Sequence, residues 1–162
     1  MKHLTGIVFL MLFLAVQPVS AQGLNEKAMY FGGGINQNDL SGADDATGFQ
    51  FFAGYDLPVK VPNGKLSVEV GYWDSGDFDI EFFGVTVASE SANGIWATGV
   101  YSLQLNKTVD LLGRLGFDFG DDDGFMIGIG VGFNLNRNMQ IRGEFVSRDN
   151  IDSLQANFVF HL

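Results

Sequence analysis

From Lys27 onward the chain alternates apolar and polar residues with period two, in segments of about nine to eleven residues, the length of a tilted bilayer-crossing strand. The clearest case is Phe125 to Leu135. Phe125, Ile127, Ile129, Val131, Phe133 and Leu135 share one face, and Met126, Gly128, Gly130, Gly132 and Asn134 share the other. A helix would repeat every three to four residues, and a strand buried on both faces would be apolar throughout, so neither accounts for this pattern. The same reading places Phe49, Phe51, Ala53, Tyr55 and Leu57 on one face, and Leu66, Val68, Val70 and Tyr72 opposite Ser67, Glu69, Gly71 and Trp73. Ile95 to Leu105, Leu111 to Phe119, Met139 to Val146 and Ser153 to Leu162 repeat it. With a first strand near Met29 to Asn36 the total is eight, and the predicted class is all-β: an eight-stranded antiparallel up-and-down transmembrane β-barrel.

The connections support a membrane setting. Pro58 to Gly64, Asn106 to Val109 and Asn136 to Asn138 read as short turns. Asn38 to Gly48 and Asp74 to Asn93 read as longer loops on the other side, where Asp121 to Gly124 and Asp149 to Ile151 stay short. Short periplasmic turns facing longer extracellular loops are the outer-membrane arrangement. A soluble barrel would present a wall rich in Lys and Glu. Here the polar faces carry mostly Gly, Ser, Gln and Asn, and Lys27, Lys60, Lys65 and Lys107 sit at strand ends and turns. Tyr55, Tyr72, Phe119, Phe125, Phe133 and Phe160 lie toward strand ends, as interfacial aromatic girdles do. The apolar face therefore points outward, to lipid.

Charges on the inward face need partners, because an isolated buried ion is costly. Glu69, Arg114, Arg142 and Glu144 fall at comparable heights, and the strand between the arginine-bearing strands offers Gly128, Gly130 and Gly132 inward. The expectation is a lumen ion-pair network of Arg114 and Arg142 with Glu69 and Glu144, plugging a barrel whose eight strands leave room only for side chains.

The N-terminus changes the setting. Met1-Lys2-His3, an apolar run from Ile7 to Val16 too short for a spanning helix, and Val19-Ser20-Ala21 form a secretory signal peptide over 1–21, cleaved to leave a barrel domain over 22–162. The absence of cysteine excludes a lipoprotein anchor and any disulfide. The formal net charge of −10 argues against nucleic acid as a partner.

The run Leu66-Ser-Val-Glu-Val-Gly-Tyr72, the stretch Gly130 to Phe145 and the segment Asp149-Asn-Ile-Asp-Ser-Leu154 resemble the OmpA/OmpX-type small outer-membrane β-barrel domain family. The resemblance implies a bacterial outer-membrane location and insertion by the outer-membrane assembly machinery. That machinery usually reads a last strand ending in an aromatic; here it ends Phe158-Val-Phe-His-Leu162. The peptidoglycan-binding domain of longer family members is expected to be missing.

Candidate chemistry is sparse. Lipid A-modifying barrels need a nucleophile with an activating histidine, and beyond the signal segment the single histidine is His161, with its nearest serine at Ser153. His161 reads as a rim residue and the chain as a non-enzyme. Asp121-Asp122-Asp123 and the group Asp74, Asp77, Asp79 and Glu81 lack the spacing of a calcium loop and read as solvated loop tips. Gly32-Gly33-Gly34 lacks the Lys and Ser/Thr of a phosphate loop. No cofactor or metal is expected. The least ordinary piece is Glu81-Phe-Phe-Gly-Val-Thr-Val-Ala88, apolar and β-prone inside the longest outer connection. It reads either as an extension of two strands beyond the membrane, with an edge open to a partner strand, or as the upper half of one strand. Glu81, Phe82, Phe83, Val85 and Val87 are the candidate outer-loop interaction residues.

Three functions follow in order: a monomeric structural or surface-interaction barrel serving adhesion or envelope stability, a narrow channel for small solutes, and a lipid A-modifying enzyme. The expected partners are outer-membrane lipid and lipopolysaccharide, the assembly machinery and an extracellular surface partner.

Overall fold

The computed structural model describes residues 25–40, 44–82 and 85–162; the predicted signal peptide lies outside them. After a short 3-10 turn at Glu26–Ala28 come eight strands: β1 (Met29–Leu40), β2 (Ala46–Asp56), β3 (Gly64–Phe82), β4 (Val85–Gln104), β5 (Val109–Asp118), β6 (Gly124–Asn134), β7 (Met139–Ser147) and β8 (Ile151–His161). Each pairs antiparallel with its sequence neighbour, and β1 pairs with β8 to close the barrel. Closure leaves no free edge in the wall, which the lipid core demands of every backbone polar group.

The alternation explains the wall. Outward residues such as Ile129, Leu154 and Ile35 are 68%, 65% and 62% exposed in the isolated chain. Their cross-face neighbours, among them Gln50, Glu69, Trp96, Arg114 and Glu144, are buried. Aromatics pack side by side on the lipid face, Phe51 against Tyr72 at 5.6 Å and Phe117 edge-on to Phe125 at 5.7 Å between ring centroids.

Asparagine shapes the short turns. The Asn106 side chain accepts from the backbone N–H groups of Thr108 and Val109, and the Asn136 side chain from that of Asn138, the self-bonding that makes asparagine a turn residue. Asn63 takes a positive φ of 53° in the turn before β3. These turns, with Met29 and His161, define one end of the barrel, the turn end; the opposite one is the loop end.

The loop end departs from the sequence reading. Asn38 and Ala46 are paired strand residues, so the connection expected over Asn38 to Gly48 is shorter. Most of the described part of Asp74 to Asn93 is strand as well: Asp77 pairs with Ser91, Ile80 with Ala88 and Phe82 with Val85. Polar residues there need no lipid-facing partner, since the hairpin supplies its own ladder. A register shift separates Asp74 from Asp77, and Gly76 there takes φ +72°. Its N–H is accepted by the Asp74 carboxylate at 2.8 Å. The bulge turns Ser75 and Phe78 inward, both fully buried.

Inside the barrel, large side chains face glycine across the ladder. Tyr30 pairs with Gly54, Phe52 with Gly32, Trp96 with Gly71, Arg114 with Gly128 and Glu144 with Gly130. A Cβ on Gly130 would lie 2.5 Å from Glu144 Cγ and 2.6 Å from the Gly143 carbonyl, whereas one on the outward Gly113 would meet nothing within 4 Å.

Three substitutions test this inside/outside assignment by urea unfolding of vesicle-inserted protein. Gly113→Ala is expected to stay within about 0.5 kcal/mol of the parent. Gly130→Ala should cost about 1–3 kcal/mol through overpacking. Ile129→Arg should cost about 2–4 kcal/mol if it faces the mid-bilayer. Normal stability for Ile129→Arg would reverse the assignment.

Candidate functional site: the charged lumen and its two ends

The four inward charges meet at mid-height. Glu69 comes from β3, Arg114 from β5, and Arg142 and Glu144 from β7, each on the parity that faces the lumen. Arg114 holds Glu144 through two hydrogen bonds, Nε to Oε2 at 2.8 Å and Nη2 to Oε1 at 2.9 Å. The same Nη2 lies 3.2 Å from Glu69 Oε2. Arg142 donates from Nη1 to Glu69 Oε1 at 2.6 Å and from Nε to the Gln140 amide oxygen at 2.6 Å. The Tyr30 hydroxyl donates to Glu69 at 2.8 Å. Two guanidinium groups and two carboxylates thus form one neutral chain of contacts with every charge matched.

Aromatic rings complete the enclosure. The Arg114 guanidinium sits 5.2 Å from the Trp96 ring centroid, and that of Arg142 lies 5.2 Å from Tyr30 and 5.9 Å from Phe52. Cations over ring faces recover part of the lost hydration. Beside them the Gln50 amide donates to Gln155 at 2.7 Å and to Asn157 at 2.8 Å.

A second ion pair nearer the loop end was absent from the sequence reading. Arg148 donates from Nε to Asp118 at 3.1 Å and from Nη1 to Ser153 at 2.7 Å, over the Trp73 ring at 4.1 Å. The Ser153 hydroxyl passes the chain on to Asn38 at 2.6 Å. The signal was available: Gln140, Arg142, Glu144, Val146 and Arg148 continue one parity, and only the strand's assumed end hid the last. Beyond this layer Ala46, Phe78 and Ile151, with the partly buried Leu40 and Ala92, join the apolar cluster at the loop end.

The acidic loop residues act as backbone acceptors. Asp122 takes the N–H groups of Asn150 and Ile151 at 3.0 Å each, and Asp121 takes that of Asn93 at 3.0 Å. They tie neighbouring connections together. His161 rests against the Tyr30 ring at 4.9 Å, and its N–H donates to the Asn138 carbonyl. The contact is that of a rim residue, and among the described residues no serine hydroxyl bonds to it. Of the outer-loop candidates, Phe83 lies outside the described residues, as do the side chains of Glu81, Phe82, Val85 and Val87; the backbones of those four lie at the hairpin's far end in β3 and β4. At the turn end the lumen opens into a cavity of about 720 Å³.

The sequence matches the outer membrane protein beta-barrel domain family over residues 7–159, and the chain belongs to that family. No curated protein sequence matches it. Among solved structures it is similar to Ail, the attachment invasion locus protein of Yersinia pestis, with TM-score 0.53, 14% identity, and coverage of 82% of this chain and 96% of that one. Neisserial surface protein A is similar with TM-score 0.53 and 15% identity, covering 83% and 97%. A de novo designed transmembrane β-barrel reaches TM-score 0.59 at 14% identity, covering 86% and 100%. At such identities the likeness is one of fold.

The network predicts a characteristic coupling. Removing one partner strands a buried charge, so Arg114→Met or Glu144→Leu alone should cost about 3–5 kcal/mol. The double variant leaves Glu69 with Arg142 and Tyr30, and should be less destabilised than either single. Urea unfolding of the four proteins measures this; additive losses would mean the pair is not coupled.

Proposed function

We propose that this outer-membrane β-barrel is a monomeric structural or surface-interaction protein that contributes to adhesion or envelope stability. One contrast carries the reading. At mid-height the lumen is filled by buried side chains held in paired contacts, while the β3–β4 hairpin runs past its neighbours. The β2–β3 ladder ends at Asp74 and the β4–β5 ladder at Trp96; beyond those points the described ladder pairs β3 and β4 with each other. Recognition of a surface partner is therefore assigned to the hairpin and not to the filled mid-lumen.

An exposed strand edge can add a partner segment by main-chain hydrogen bonding. The proposed contact is the far end of the hairpin, with Glu81, Phe82, Phe83, Val85 and Val87 as its residues and an extracellular surface as its partner. Attachment is in the name of the neighbour Ail, one structure of which holds the heparin analogue sucrose octasulfate. A polyanion does not suit this chain, whose loop end carries Asp74, Asp77, Asp79, Glu90, Asp121 and Asp123; like charges there would repel it. Outer-membrane lipid, lipopolysaccharide and the assembly machinery are the remaining partners in this reading.

Two measurements test it together. Refolded protein, its fold verified by heat-modifiable migration, should show no steady single-channel conductance in a planar bilayer. Replacing residues 77–91 by a two-residue turn should keep the heat-modifiable band but abolish attachment of expressing cells to a surface that the parent binds. Reproducible open events would favour a narrow channel gated by Arg114 and Arg142. Unchanged attachment would remove the hairpin from the account.

A further inference from the structure

The cavity at the turn end holds two electrostatic anomalies. Asp110, on β5, lines it and is only 8% exposed. Its Oδ2 accepts from the amides of Asn134 and Gln140 at 2.9 Å each, but its Oδ1 has no hydrogen-bond partner. No cation stands within ion-pair distance of it among the described residues. A carboxylate this enclosed is ordinarily paired. Lys107 and Arg137, from the turns before β5 and β7, line the same cavity, and neither has a carboxylate within that distance among the described residues. One unpaired carboxylate in the wall and three unpaired cations toward the mouth, Lys107 and Arg137 with Lys27, share one space.

We infer that this cavity binds a small zwitterion, an amino acid or short peptide entering from the turn end, which is the periplasmic side in this family's arrangement. The ligand's ammonium meets Asp110, and its carboxylate meets Lys107 and Arg137. The Asn134 amide, which gives one hydrogen to Asp110, keeps its second N–H for a peptide carbonyl. The volume of about 720 Å³ lies inside the range of small-molecule sites and accommodates a dipeptide. Above it Arg142 and Glu69 close the way through, so the site is a blind recess. Its occupancy is independent of what the hairpin binds.

The test uses alanyl-alanine and its two blocked forms, the N-acetyl and the C-amide, titrated into refolded mature protein in lipid nanodiscs and followed by backbone amide shifts. The free dipeptide should bind saturably and move Gly132, Asn134 and Gln140. Each blocked form should bind about tenfold or more weakly, the loss expected for one charge-assisted contact. Asp110→Asn should erase the preference over the N-acetyl form. The pair Lys107→Gln and Arg137→Gln, at exposed positions without an ion pair, should erase the preference over the amide. No saturable shift, or equal binding of all three peptides to the unaltered protein, would overturn the assignment whether or not Asp110→Asn folds. Attachment unchanged by the hairpin replacement, with dipeptide binding intact, would count against the surface role alone.

Discussion

Two guanidinium groups held inside the barrel set the terms for the rest of the structure. In a lumen only eight strands wide, Arg114 and Arg142 can be hydrated by little but the protein itself, so their charges must be met by carboxylates at bonding distance. Glu144 and Glu69 meet them, the first through a two-point contact and the second by bridging both arginines. Space has to be made for these groups, and it comes from the strand between them: β6 offers Gly128, Gly130 and Gly132 where they lie. The same exchange of bulk against glycine recurs around the wall for Tyr30, Phe52 and Trp96. A core of this kind specifies register, because a slip of one residue would point the arginines at lipid and the isoleucines at each other.

From that core the two ends of the molecule diverge. Toward the loop end a second ion pair, Arg148 with Asp118, sits below an apolar closure that includes Phe78 and Ile151. Toward the turn end the polar wall continues but the filling stops, leaving an open recess bounded by Asp110, Gln140 and Arg142. Among the described residues the barrel is filled in the middle and toward the loop end, and opens at the turn end. A fold shared with barrels of many roles does not choose among them; this distribution of filled and open space is what favours surface contact above and small-solute capture below.

Much of this was legible in the sequence because a strand's period is short and absolute. Parity alone sorted Ile129 outward and Glu144 inward, and counting residues from the turns brought Glu69, Arg114, Arg142 and Glu144 to one level. Parity could not say how long a strand is. Once a strand leaves the membrane its outward face has no reason to be apolar, so the polar stretch around Asp77 and Asp79 read as loop although its backbone is paired. The same blindness to strand ends hid Arg148. Nor does alternation report which carboxylate lacks a partner: Asp110 looks like any inward polar residue until its neighbours are known.

The mid-lumen is a paired, water-excluded charge network. This is tested most directly by hydrogen exchange at the Nε–H groups of Arg114 and Arg142, read by nitrogen-edited NMR in nanodiscs at neutral pH, with a soluble paramagnetic agent as the accessibility probe. Slowly exchanging, sharp Nε–H resonances that the agent leaves unbroadened are expected, with Arg114 at least as protected as Arg142. Fast exchange, or broadening of Arg114 by the agent, would mean that water reaches the network and that the lumen is a conduit and not a core.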